Sequence, residues 1–186
     1  MNIKKLEDTS LSTNDILKIM NNNVNIITYP DLKNYKDIND LFSGSPNVIL
    51  YFEEDKKGQN VIGHWEALKK VGNTIQFFDG YGIAPDHCRK WLSQNKLIDL
   101  KENSPELTRL IHKAIDDGYT VLWNHNRYQS YEKDVSTCGK WATSFLLHGN
   151  LNNTSFSDWV QSLIRKYRAN TYDEAISKWC FENFGI

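Results

Sequence analysis

Cys138 stands where a small polar stretch, Ser136 and Thr137, gives way to a run in which Trp141, Ala142, Phe145 and Leu146 recur at 3.6-residue spacing. Ser136 or Thr137 can cap a helix there, which places Cys138 in the first helical turn. Unpaired backbone N–H groups and the positive end of the helix dipole favour a thiolate over a thiol, and the thiolate is the nucleophile. Gly139 is expected to leave the approach to the sulfur uncrowded. A free cysteine can equally be a small buried hydrophobe, so nucleophilic chemistry at Cys138 requires partners.

Two partners come from a predicted hairpin. Residues 61–68 and 74–79 read as strands around a turn at 69–73, where Gly72 and Asn73 are natural turn residues. Strand side chains alternate with period two, so an even-length turn puts His64 and Asp79 on one face. With Val71 and Gly72 at the tip, Lys70 pairs with Asn73, Ala67 with Gln76, and His64 falls opposite Asp79. Facing Cβ atoms are then about 5 Å apart, as an imidazole–carboxylate hydrogen bond needs. Such a carboxylate fixes the imidazole tautomer and stabilises its charged form. Glu66, two residues along the same face, competes for this place in another register. A third partner is Gln129 in the polar loop 124–134, which can offer a side-chain N–H to an oxyanion.

The elements around these residues follow from pattern. Ser10 or Ser12 caps a first helix with Leu11, Ile16, Leu17, Ile19 and Met20 on its apolar face, ended by three asparagines. Residues 24–29 form a short strand or an extended arm, Pro30 and Asp31 turn away from it, and 37–42 form a short helix. Residues 48–52 are a strand buried on both faces, and 53–59 a charged turn containing Gly58. After a loop at 80–85, residues 86–95 are expected to be helical, with Cys88, Trp91 and Leu92 inward. A helix at 105–117 carries the stripe Leu107, Leu110, Ile111, Ala114 and Ile115, and 119–123 return to strand. Two last helices carry Phe156, Trp159, Val160, Leu163, Ile164 and Tyr167, then Tyr172, Ala175, Ile176, Trp179 and Cys180.

Composition narrows the function classes. Apolar residues at 40% and aromatics at 12% exclude a disordered chain, and one domain over residues 1–186 is expected. A net charge of −1 provides no field that would recruit nucleic acid or an anionic membrane. No apolar stretch approaches the roughly 20 residues that span a bilayer, and the N-terminus lacks a signal-peptide core, so a soluble intracellular protein is expected. Three cysteines at wide spacing suit reduced thiols, and without a CxxC pair no structural zinc or other metal is expected.

Taken in order, Gly63-His64-Trp65, a strand, Phe77-Phe78-Asp79-Gly80-Tyr81-Gly82, then Tyr128-Gln129 and Thr137-Cys138-Gly139 resemble the adenovirus-type (adenain-like) maturation cysteine proteases. Relatives of these occur in virophages and Maverick/Polinton elements, and their fold is shared with SUMO-specific proteases. The resemblance runs from about Val48 to Leu147. It implies an α+β fold with a central mixed β-sheet flanked by helices, papain-like in architecture with the chain order His, Asp, Gln, Cys, and the nucleophile at the N-terminus of a central helix. Carried over by position, Cys138 is the nucleophile, His64 its general base, Asp79 the orienting carboxylate where adenovirus enzymes have Glu, and Gln129 with the Cys138 N–H the oxyanion hole. Trp65 is a family feature whose role is packing.

The resemblance implies a thiol protease cleaving capsid or other virion precursors at Gly-Gly-X or Gly-X-Gly sites, in the host cell interior and the virion, and acting as a monomer. The basic surface and the cysteine that let the adenovirus enzyme use DNA and a disulfide-linked peptide are not evident, so no cofactor is carried over. The competing readings are a deconjugating protease for ubiquitin-like proteins, a cysteine-dependent acyltransferase, and a non-catalytic virion protein that keeps the fold. Below neutral pH, iodoacetamide should alkylate Cys138 faster than Cys88 and Cys180, and His64→Ala should remove that advantage. Equal labelling of all three cysteines by peptide mass spectrometry would contradict a paired thiolate.

Overall fold

The computed structural model describes residues 2–57 and 60–186. A five-stranded mixed sheet runs in the order β1 (Asn25–Thr28), β2 (Asn47–Lys57), β3 (Asn60–Val71), β4 (Thr74–Phe78) and β5 (Thr120–Trp123). The three central strands pair antiparallel, and β1 and β5 join the edges parallel to β2 and β4. β2 is apolar on both faces because both are covered: Ile49 enters one core, while Val48, Leu50 and Phe52 enter the other.

The helices are α1 (Ile3–Asp8), α2 (Thr13–Ile19), α3 (Ile38–Leu41), α4 (Gln94–Leu100), α5 (Glu106–Asp116), α6 (Cys138–His148), α7 (Ser155–Tyr167) and α8 (Tyr172–Phe184). Residues from α2, α6, α7 and α8 pack over one face of the sheet, and residues from α3, α4 and α5 over the other. On the first face Phe78 stacks on Phe145 at 4.6 Å, and Phe156 meets both rings edge-on. Side chains of this size contribute about 2–3 kcal/mol each by leaving water. The chain is therefore α+β, with Cys138 at the start of a helix packed against the central strand.

Several expectations need correction. α1 has no buried residue and was not legible from apolar periodicity. Residues 53–57 continue β2 rather than turning; Gly58 and Gln59 of that expected turn lie outside the described residues. Pro30 does not merely turn the chain but opens a 3-10 helix, Tyr29–Asn34. The helix expected at 86–95 is a 3-10 turn, His87–Trp91, followed by α4. Asp86 adopts a positive φ of 63°, with its carboxylate accepting from the Tyr29 hydroxyl and the Thr108 N–H, and Leu92 is extended. Trp91 and Ile115 are exposed rather than inward. α6 is less an amphipathic helix than a central one, since every residue from Cys138 to Leu146 is buried.

Lys140 shows what a central helix demands. Its fully buried ammonium donates to the backbone carbonyls of Leu6, at 2.9 Å, and of Thr9. Ser136 N–H donates to Glu7 O at 2.8 Å, and Trp65 Nε1 to Leu11 O at 3.2 Å, so the N-terminal segment is laced onto the start of α6 and onto β3. Lys140→Met would keep the aliphatic volume and strand two carbonyls. It should lower the unfolding free energy by about 2 kcal/mol in urea titration; an unchanged midpoint would show that the lacing is not load-carrying.

Candidate active site

The β3–β4 hairpin sets the first two residues. Its ladder pairs Val71 with Thr74, Lys70 with Ile75 and Lys69 with Gln76, leaving Gly72 (φ 57°) and Asn73 as the tip. The expected tip at Val71 and Gly72 is therefore displaced by one residue, because the positive φ falls to the glycine that opens a two-residue turn. Continued past Phe78, this register sets Glu66 rather than His64 opposite Asp79. His64 still reaches Asp79 diagonally on the same face, Nε2 to Oδ2 at 2.5 Å. β4 ends at Phe78, which frees Asp79 to turn. Its Oδ1 accepts the Tyr81 N–H at 2.6 Å, and Asn124 bonds both its N–H and its C=O.

Both members of the pair are buried. Burial depresses the His64 imidazole, but the Asp79 charge and hydrogen bond, together with the nearby Cys138, outweigh it and hold the imidazole well above its ordinary value. With Nε2 committed to Asp79, Nδ1 is the ring nitrogen left for Cys138, which lines the same cleft. Tyr81 stacks on the imidazole, with ring centroids 5.1 Å apart, and Trp91 meets it edge-on at 5.3 Å. Glu66 lies beneath. Burial, then the Asp79 charge, push its carboxyl up to about 8, so at neutral pH it is an uncharged acid. It serves as a neutral neighbour of the pair, not as the partner of His64.

Cys138 is the first residue of α6 and is nearly buried. Thr137 occupies the cap position, but its hydroxyl donates to Asp173, so neither it nor Ser136 caps the helix by side chain. The first-turn N–H groups thus have no side-chain acceptor, as an anion-binding helix start requires. Gly139 makes room for close packing at the start of α6. A Cβ there would stand 3.1 Å from Leu11 Cβ and 3.1 Å from Trp65 Cδ1, so glycine lets α6 approach the N-terminal segment and β3. Trp65 packs at 4.2 Å on Tyr51.

Gln129 is buried in the loop before α6. The N–H groups of Tyr128 and Gln129 both bond Gly80 O at 2.9 Å, and Gln129 Nε2 donates to Tyr81 Oη at 3.1 Å. Cys138, His64, Gln129 and Tyr81 line one cleft of about 820 Å³, with Leu11, Ile26, Tyr51 and Ile62 among its walls; Asp79 sits behind His64.

Sequence reasoning missed Asp173, Asn124 and Tyr81. Buried Asp173 accepts from Thr137 Oγ1, from Trp141 Nε1 at 3.0 Å and from Ser130 N–H at 2.8 Å, tying the Gln129 loop to α6. Its only sequence signal is an acid in the first turn of α8 after the cap Thr171. His64, Glu66 and Asp79 also bring ligand-type atoms within 4.8 Å of one another. The 2.5 Å His64–Asp79 contact leaves no room for a cation between those two atoms, since metal bonds of about 2 Å to each would spread them past 3 Å.

No family model matches the sequence. The uncharacterized protein V9 of Sputnik virophage is 30% identical over 176 residues, covering 94% of this chain and 96% of that protein. Similar solved structures include the ASFV pS273R protease (TM-score 0.46, 14% identity, 93% of this chain and 67% of that one). Another is the C-terminal protease domain of Ulp1 in complex with Smt3, the yeast ortholog of SUMO (TM-score 0.36, 14% identity, 95% and 76%). Among the described residues, no helix is long and apolar enough to cross a membrane.

The buried acid has a measurable signature. Folding raises Glu66 from 4.5 to about 8, so its contribution to stability is complete below the lower value and is lost as pH rises through the upper one. His64, also raised, acts in the same direction from about 6.5 upward. The urea midpoint should therefore fall with rising pH across this range, and Glu66→Gln, neutral throughout, should flatten the fall. Parallel profiles for wild type and variant would mean that Glu66 is ionised in the folded protein.

Proposed function

Since the chain belongs to the same family as the uncharacterized protein V9 of Sputnik virophage, we propose that it is a viral cysteine endopeptidase that processes virion precursor proteins. The observation that carries this reading is His64, bonded through Nε2 to Asp79, at the wall of a cleft that also holds Cys138 and Gln129. The resemblance to adenain-like proteases supports capsid precursors as substrates and Gly-Gly-X or Gly-X-Gly as cleavage sites. On this reading the protein acts as a monomer inside the infected cell and the assembling virion.

In the proposed reaction Cys138 Sγ attacks the scissile carbonyl carbon, and the C=O π pair moves onto oxygen. The oxyanion is held by the Gln129 amide and the Cys138 N–H, where one such donor typically contributes ~3 kcal/mol of transition-state stabilisation. The carbonyl reforms as the C–N bond breaks, and His64 passes its Nδ1 proton to the departing amine. Water then attacks the thioester, giving one proton to His64 and releasing the carboxylic product and the thiolate. Asp79 keeps Nε2 protonated throughout, which fixes the imidazole's orientation for both transfers.

Incubating the protein with virion precursors and sequencing the new N-termini tests the reading. Wild type should cut at glycine-rich sites, and Cys138→Ala should lose cleavage by at least about 1,000-fold while keeping its thermal midpoint. Cleavage that persists in Cys138→Ala would overturn the mechanism.

A further inference from the structure

Tyr81, two residues beyond Asp79, touches three of the residues to which the protease reading gives roles. Its N–H donates to Asp79 Oδ1, its ring stacks on His64, and its hydroxyl oxygen accepts from Gln129 Nε2 at 3.1 Å. It also lines the cleft that holds Cys138. A phenol that accepts a hydrogen bond still has its own O–H to give, and among the described residues no acceptor for that proton is found. The ring that carries it is fixed: Tyr131 stacks on it at 4.3 Å with planes 2° apart, and Trp91 meets it edge-on at 5.4 Å.

We propose that Tyr81 is a catalytic residue, its hydroxyl donating to the oxyanion of the acyl-transfer intermediate beside the Gln129 amide. This inference rests on the protease reading and adds a donor to it. When Sγ bonds to carbon and the π pair moves to oxygen, the new charge needs donors already in place; Tyr81 supplies an O–H···O⁻ bond and transfers no proton. A donor clamped between aromatic rings does not have to reorganise as the charge appears. Burial, then the charge of the Cys138 sulfur, raise the phenol above its ordinary value, so it remains a proton donor at any working pH, within electrostatic reach of the sulfur. Gln129 Nε2 has two protons, one held by Tyr81 Oη and one left for the same oxyanion, so the two side chains form a linked pair of donors.

A purely structural Tyr81, a shelf for His64 or a prop for Gln129, predicts different kinetics. Tyr81→Phe keeps the ring stack and the backbone bond to Asp79 and removes only the hydroxyl. On a fluorogenic peptide spanning a wild-type cleavage site it should lower kcat about 100-fold with KM changed less than about twofold. The pH at which activity falls should stay that of wild type, because His64 keeps its neighbours. In a Gln129→Ala background, Tyr81→Phe should still cost at least about tenfold, since the hydroxyl acts directly. A peptide aldehyde, whose hemithioacetal oxygen occupies the same place, should bind Tyr81→Phe more weakly in parallel. Wild-type kcat in Tyr81→Phe, or an effect that vanishes in Gln129→Ala, would overturn the inference while leaving the protease reading intact. A wild-type protein that cuts no precursor and no peptide would overturn both.

Discussion

An imidazole and a carboxylate 2.5 Å apart and almost wholly buried set the terms for the surrounding structure. Burying such a pair is costly unless each remaining polar atom is satisfied and no further charge intrudes. The turn after β4 meets the first condition: Asp79 accepts from the Tyr81 N–H and is bracketed by both atoms of the Asn124 amide. Glu66 meets the second by staying protonated, because two carboxylates in one dry space cannot both carry charge. The aromatic rings of Tyr81 and Trp91 then pack against the imidazole, which stays in the wall of the cleft that holds Cys138.

Around that pair, the remaining elements bring the far half of the chain to the hairpin. α6 starts at the cleft because Asp173, from α8, ties Thr137 and Trp141 to the backbone of Ser130. The same carboxylate therefore fixes the helix that carries Cys138 and the loop that carries Gln129. From the other side, Lys140 holds the segment between α1 and α2, which forms part of the cleft wall. Each brace is a buried charge that bonds backbone or side-chain dipoles, an arrangement that tolerates little displacement since every lost partner leaves a desolvated group.

The proposed chemistry and the fold share one logic, in which negative charge is met by fixed dipoles. The uncapped start of α6, Gln129 and Tyr81 border the cleft that holds Cys138, and in the proposed reaction their donors meet the oxyanion while Asp79 supplies its charge from behind His64. A helix start whose cap residue is drawn away to Asp173 is a poor local solution for the helix. It is a suitable one for a site that must accept an anion only transiently.

By itself the sequence determined the residues of the candidate site and most of the scaffold. Cys138 at a helix start, His64 and Asp79 on one hairpin face, and Gln129 in the preceding loop are legible because helix entry and strand alternation are local, periodic properties. The two-sided burial of β2 and the stripe of α5 are legible for the same reason. Tertiary structure alone decided the hairpin register, the burial that raises the Glu66 carboxyl, the loss of the Thr137 cap and the contacts of Asp173, Lys140, Asn124 and Tyr81. It also replaced the helix expected at 86–95, where Asp86 bonds Tyr29 and Thr108. These depend on contacts between residues far apart in the chain: a hydrogen bond 36 residues long, as between Thr137 and Asp173, has no period for a sequence pattern to show.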